Sequence, residues 1–218
     1  MKREIIITED GSSSIFIPEM DETYHSTHGS IQEAEHVFLK NGIQRSEGKE
    51  LSIFEVGFGT GLNALISLIH SSERQKINYH SIEAFPVEEE LIQQINYCSI
   101  LGKEYQVYFD KMHTTEWGRE QEITPSFSLL KIHEKLQDYT LIHNSYDIIF
   151  FDAFGPNAQA EMWSEAILEE MFKGLKQGAF LTTYCAQGQF KRDLKAVGFK
   201  VEAVPGPPGK REMTLAWK

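Results

Sequence analysis

The sequence has little cysteine and no long apolar run. Cys98 and Cys185 stand far apart and without metal-ligand spacing, so neither a disulfide framework nor a metal site is expected and both thiols should be reduced. The opening Ile5-Ile6-Ile7 breaks at once at Thr8-Glu9-Asp10-Gly11. It is too short for the apolar core of a signal peptide and far too short to span a bilayer. No internal repeat or low-complexity segment is present. The expectation is a soluble, cytoplasmic protein with no membrane partner.

Positive charge is also scarce, with a formal net charge of −11. That argues against a protein that coats nucleic acid over its whole surface. The deficit is uneven. From Phe172 to Lys218 the basic residues are Lys173, Lys176, Lys191, Arg192, Lys195, Lys200, Lys210, Arg211 and Lys218, against only Asp193, Glu202 and Glu212. An anionic partner is expected to approach this C-terminal third; a merely solvated basic face is the alternative.

What is present is a globular composition, 41% hydrophobic and 24% charged over 218 residues, enough for one domain with a substantial core. Glu4–Ile7 and Ser14–Ile17 flank the turn pair Asp10-Gly11 and predict a β-hairpin. Residues 31–40 predict a helix, with Ser30 as N-cap and Glu33 at the capping-box spacing. These parts make an N-terminal segment, residues 1–48, packed on a core of residues 49–218. The core alternates strands at Leu51–Val56, Ile77–Ile82, Tyr146–Phe151 and Ala179–Tyr184 with helices at Leu62–His70, Val87 to Ile95 or beyond, Ala160–Leu175 and Gln189–Val197. Lys200–Val204 and Met213–Trp217 close it as a strand pair around Pro205-Gly206-Pro207-Pro208-Gly209. The stretch from Cys98 to Asn144 reads as an insertion over the site, with a strand at Phe127–Ile132. The fold class is α/β: a Rossmann-like, doubly wound, mostly parallel seven-stranded sheet with an antiparallel edge strand.

Three strand ends carry the chemistry. Phe54-Glu55-Val56-Gly57-Phe58-Gly59-Thr60-Gly61-Leu62-Asn63 is a strand, a glycine-rich turn and a helix start. Glycine lets backbone lie against a ligand in the crevice outside the strand. The spacing is neither the dinucleotide Gly-x-Gly-x-x-Gly nor a phosphate loop with Gly-Lys-Ser/Thr. A tight connection that binds nothing would look similar. Glu83, ending the next strand, can accept two parallel hydrogen bonds from a cofactor's ribose diol, which a nicotinamide dinucleotide would offer as well as others; a solvated strand end is the alternative. Asp152 ends Tyr146–Phe151 within Asp152-Ala153-Phe154-Gly155-Pro156, and Phe154 and Pro156 can wall a flat substrate. Asp152 could instead cap the following helix.

The glycine turn resembles the first motif of class I methyltransferases. Asp152–Pro156 with Met162-Trp163, Tyr24-His25-Ser26 with Gly29, Glu33 and Val37-Phe38, and the closing Gly198-Phe199 with Lys210-Arg211-Glu212-Met213 resemble the methyltransferase half of the MnmC family. The resemblance implies S-adenosylmethionine as cofactor and N-methylation of 5-aminomethyl-(2-thio)uridine at the tRNA wobble position. It implies cofactor contacts from Glu55 (to the ammonium group), Gly57, Gly59, Gly61, Asn63, Glu83, Tyr24 and Ser26. It further implies catalysis by Asp152, and substrate contacts from Phe154, Pro156, Lys210 and Arg211. Lys131-Ile132-His133-Glu134 falls where many relatives place an aspartate near the adenine. At this length the chain is expected to stand alone, with a separate FAD-dependent oxidase or aminomethyl-forming enzyme as a candidate partner. A small-molecule amine or another nucleic acid as substrate, and a non-catalytic cofactor-binding scaffold, are the other readings.

Overall fold

Near-continuous apolar strands, Ile53–Val56 and Ile148–Phe151 among them, need both faces covered, and the chain supplies a helical layer to each side. The structure is a computed structural model that describes residues 2–71 and 75–218. It opens with a small antiparallel sheet of β1 (Glu4–Ile7), β2 (Ser13–Ile17) and the two-residue β3 (Glu22–Thr23). The expected hairpin is there, with Ile5 opposite Ile15. Helix α1 (Ser30–Ala34) follows and runs on as a π-helical stretch, Glu35–Lys40.

Ser30 is not the N-cap. Gly29 occupies that position, and the Ser30 hydroxyl donates to the Ser13 carbonyl. The first helical N–H groups are met from the hairpin instead: Asp10 accepts from Gln32 N at 3.0 Å, and Ser12 Oγ from Ser30 N at 3.2 Å. Glu33 accepts from Ser26 N at 2.7 Å rather than closing a capping box. Tertiary donors and acceptors have replaced the local ones.

The core then runs through β4 (Glu50–Val56), α2 (Leu62–His70), β5 (Lys76–Ile82), α3 (Glu89–Ile92), α4 (Tyr97–Leu101), α5 (Gln106–Thr114), β6 (Gln121–Thr124), β7 (Phe127–Ile132) and β8 (Tyr146–Phe151). It ends with α6 (Glu165–Gly174), β9 (Leu175–Thr183), α7 (Gly188–Val197), β10 (Lys200–Pro205) and β11 (Glu212–Trp217). The main sheet is eight-stranded, in the order β10-β11-β9-β8-β4-β5-β7-β6. Strands β9, β8, β4, β5 and β7 are parallel neighbours. The eighth strand is β6, an antiparallel edge that the sequence hid inside the insertion. β11 is antiparallel too, but lies one place in from the other edge, between β9 and β10.

Alternation along each strand sends neighbours to opposite layers. Ile53, Tyr79 and Phe150 meet α2 and the Val37-Phe38 turn, whereas Phe54, Val56, Ile149 and Phe151 meet α6 and α7. The helix expected at Val87–Ile95 is only the single turn α3. The one expected at Ala160–Leu175 breaks at Ser164 into a 3-10 turn, Ala160–Trp163, and α6. Both cysteines are buried and free. Among the described residues no helix is long and apolar enough to cross a membrane.

Candidate active site

Chain order reverses in the sheet between β4 and β8: after β4 the chain builds outward through β5, then returns to β8 on the other side. Such a switch point opens a crevice at the C-terminal strand ends. A cavity of about 480 Å³ lies there, within the range of small-molecule sites. Gly57 follows β4 directly and Asp152 follows β8, and Asp152 N donates to the Val56 carbonyl at 3.2 Å.

The glycine turn is shaped by what passes it. Gly57 has φ +91, and a Cβ there would lie 3.3 Å from the Asp152 carbonyl oxygen. Gly59 has φ +51, and a Cβ there would meet the Tyr24 ring at 3.1 Å. Both positions therefore require glycine for conformation and for space. The turn is fixed from below by the acid of the next strand: Gly59 N donates to one Glu83 oxygen at 3.0 Å, and Phe85 N to the other at 2.8 Å. Each carboxylate oxygen keeps a second lone pair, so Glu83 can still accept a diol from the cavity.

Asp152 lines the same cavity. Burial, and next the negative charge of Glu33, push its carboxyl up to about 7; hydrogen bonding from Asn63 and the charge of Lys210 pull the other way. Asn63 Nδ2 donates to Asp152 Oδ2 at 2.8 Å. The chain beyond Asp152 is held by two aromatic donors. Tyr184 OH donates to the Ala153 carbonyl and Trp163 Nε1 to the Phe154 carbonyl, each at 2.8 Å. Phe154 meets Tyr24 edge-on, centroids 5.2 Å apart, at the cavity wall.

Of the residues singled out in the sequence, Tyr24, Gly57, Gly59, Asn63, Glu83, Asp152 and Phe154 line the cavity together. Gly61 does not; it is the left-handed N-cap of α2. Pro156 and Arg211 are outside the lining, and Arg211 is exposed. The Ser26 hydroxyl accepts from His28 N in its own loop and misses the cavity. Lys210 is also off the lining; it pairs with Glu33 at 2.6 Å and lies 3.9 Å from the centroid of the Tyr184 ring. Glu55 is the clearest departure. It is 0% exposed and lies beneath α2, because it precedes Val56 inside the strand and its side chain points into a face rather than off the tip. It is outside the cavity lining, unlike Asp152 and Glu83.

Lys131, too, is away from the cavity. It is 1% exposed and donates to the His113 carbonyl at 2.9 Å. The loop after it lines the cavity instead, from Glu134 to Asp138. Arg3 is a lining residue that no motif in the sequence marks. Its guanidinium donates to the Phe85 and Pro86 carbonyls and to Glu88, clamping β1 onto the loop beyond Glu83. His25 lines the cavity as well, and burial lowers its pKa to about 4, so its imidazole is neutral.

The basic residues divide by topology. β10 runs parallel to β9, since both are antiparallel to β11. The 206–211 loop and the start of α7 therefore lie at the cavity edge of the sheet, bringing Lys191, Arg192, Lys210 and Arg211 there. Lys173, Lys176, Lys200 and Lys218 fall at the opposite edge. Lys191 is paired with Glu212 at 2.6 Å, as Lys210 is with Glu33. The basic third is thus not one uniform face.

Comparison with known proteins adds to this geometry. The sequence profile of the family described as S-adenosyl-L-methionine-dependent methyltransferase matches residues 96–218. The tRNA 5-methylaminomethyl-2-thiouridine biosynthesis bifunctional protein MnmC of Cupriavidus metallidurans is 31% identical over 98% of this chain, which covers 33% of that protein. The protein of the same name from Leptospira interrogans is 28% identical over 90% of the chain, covering 32% of it. The chain spans about a third of the length of these curated relatives. In structure it resembles MNMC2 from Aquifex aeolicus, with TM-score 0.76 and 23% identity over 99% of this chain and 70% of that one.

Proposed function

Because the chain belongs to the S-adenosyl-L-methionine-dependent methyltransferase family, we propose that it methylates the amine of 5-aminomethyl-(2-thio)uridine at the tRNA wobble position. The substrate class is suggested by the modified nucleoside in the names of the MnmC relatives. The observation that carries the reading is the position of Asp152. It shares one cavity with the glycine turn and Glu83, and its carboxyl is near neutrality.

The residues fit the cofactor. Glu83 would take the ribose hydroxyls, the Gly57–Gly59 backbone the methionine part, and the Glu134–Asp138 loop with Phe85 the adenine. Bound S-adenosylmethionine supplies a methyl group on a positively charged sulfur, which requires a neutral amine aligned with the S–CH3 bond. Asp152 accepts a hydrogen bond from that amine, aims its lone pair and takes up the proton it must lose. A carboxyl near 7 is basic enough for this and still largely ionised at slightly alkaline pH. Glu33 adds negative charge behind Asp152, which favours an incoming aminomethyl group in its ammonium form. Tyr24 and Phe154 flank the space beside Asp152, where a planar pyrimidine can lie against an aromatic face. Tyr184 and Trp163, through their bonds to the Ala153 and Phe154 carbonyls, hold the carboxylate and the wall in register.

Mass spectrometry of wobble nucleosides from cells with and without the protein tests the reading. Loss of the methylated form with accumulation of the free aminomethyl form is expected. Unchanged nucleosides would reject it.

A further inference from the structure

Behind the glycine turn, between β4, β5 and α2, lies a closed polar cluster. Ser81 Oγ donates to Glu55 Oε2 at 2.6 Å. Ser67, one turn after Asn63 on α2, spends its hydroxyl hydrogen on the Asn63 carbonyl. Asn63 Nδ2 is committed to Asp152. Among the described residues, three buried atoms of this cluster have no partner: Glu55 Oε1, Asn63 Oδ1 and the Tyr79 hydroxyl. Buried polar atoms are rarely left so, since each costs free energy comparable to a lost hydrogen bond.

The hydrogen inventory says what is missing. Two of the three atoms are acceptors, and Tyr79 has one hydrogen to give, so the cluster is short by one. Turning the Asn63 amide over would not help. With Asp152 ionised, as a base must be, it would supply Glu55 but set the amide oxygen against Asp152 Oδ2 at 2.8 Å, two acceptors in contact. One proton resident on Glu55 satisfies every atom: it is donated to Asn63 Oδ1, and the amide NH2 stays on Asp152.

We propose that Glu55 is a positioning residue, a neutral carboxylic acid whose hydrogen bond fixes the Asn63 amide and thereby holds Asp152 ionised and aimed into the cavity. Its effect on turnover rests on the amine-handling role proposed for Asp152. The surroundings agree. Glu55 is 0% exposed, and the charged group that bears on it is Asp152, of like sign. On the same face of the sheet Ser81 pairs with Glu55 and Lys131 with Ser81, which puts the ammonium two strands away, turned to the His113 carbonyl. Burial accordingly raises the Glu55 carboxyl to about 8.

Glu55→Gln and Glu55→Leu separate this role from direct cofactor binding. Gln can donate to Asn63 Oδ1 as the acid does. Its kcat on aminomethyl-uridine tRNA, its Kd for S-adenosylmethionine and its pH midpoint should stay within about twofold or a few tenths of a pH unit of wild type. Leu cannot donate, so kcat should fall on the order of tenfold or more with cofactor affinity unchanged. A tenfold weaker Kd in the Gln variant would show that Glu55 acts as a charge on the cofactor and would overturn the proposal. So would full activity in the Leu variant. An infrared difference spectrum, wild type minus the Gln variant at pH 7, reads the proton without substrate or turnover. It should contain the carbonyl band of a protonated carboxyl group. Carboxylate bands in its place would overturn the proposal even if the tRNA reading holds, and the band would stand even if that reading fails.

Discussion

Gly59 donates its backbone N–H to the Glu83 carboxylate at 3.0 Å, so the glycine turn and the acid ending the next strand are one structure. Removing the acid therefore removes two things, an acceptor for the ribose and the anchor of the turn. Glu83→Ala is expected to weaken S-adenosylmethionine binding by about 1–3 kcal/mol, roughly 5- to 150-fold. Calorimetry showing unchanged affinity would remove the ribose assignment.

Asp152 couples activity to pH and stability in opposite senses. As a base it must be ionised, so kcat/KM should rise as pH increases through about 7. Asp152→Asn keeps the shape and should lower kcat on the order of 10²-fold, with much less change in cofactor affinity. Because the folded carboxyl titrates above its ordinary value of 3.8, the folded state holds more protons between about 4 and 7. Stability is lost as pH rises through that window. Asp152→Asn should therefore melt higher than wild type at pH 8, and the gap should close towards pH 4. A constant gap across that range would show that the carboxyl is not shifted.

Lys131 is a buried cation whose hydrogen bond goes to a carbonyl, that of His113. Its ammonium also faces Trp117, 4.7 Å from the ring centroid. Burial lowers its pKa to about 8, so the unfolded chain holds more protons between 8 and 10.5 and stability rises with pH across that window. Lys131→Met should raise Tm at pH 7, and its advantage should shrink above pH 8. An equal or lower Tm at pH 7 would mean that the aromatic and carbonyl contacts outweigh the cost of desolvating the charge.

The sheet edge that bears the cavity also carries Arg192 and Arg211, neither of which is ion-paired to an acid among the described residues, as Lys191 and Lys210 are. If tRNA lands there, Arg192→Ala with Arg211→Ala should weaken binding and flatten its salt dependence by about one to two units of log–log slope. Cofactor affinity should not change. An identical slope would place the tRNA elsewhere.

Much of this arrangement could be read from residue order. The strand ends at Gly57, Glu83 and Asp152 were legible because apolar runs of strand length stop there at a turn or an acid. Glu55 was misplaced because motif spacing says that an acid precedes the turn but not which face of the strand it occupies; period-two alternation decides that. Strand β6 was illegible because Gln121–Thr124 carries one buried apolar residue, Ile123. It pairs only because β7 offers a free edge. The Ser30 cap failed for a related reason: Asp10, some twenty residues earlier, outcompetes local capping once the hairpin is folded. Arg3 carries no signal at all, since its partners, two backbone carbonyls and the Glu88 carboxylate, lie more than eighty residues away.

Methyl transfer from labelled S-adenosylmethionine, measured side by side on three acceptors, tests the central claim most directly. The acceptors are tRNA bearing 5-aminomethyl-2-thiouridine, the same tRNA unmodified, and free 5-aminomethyluridine. Label should enter the aminomethyl tRNA alone at a substantial rate, and Asp152→Asn should abolish most of it. Equal labelling of the free nucleoside, or wild-type labelling by the Asp152→Asn enzyme, would contradict the tRNA assignment and the role of Asp152 respectively.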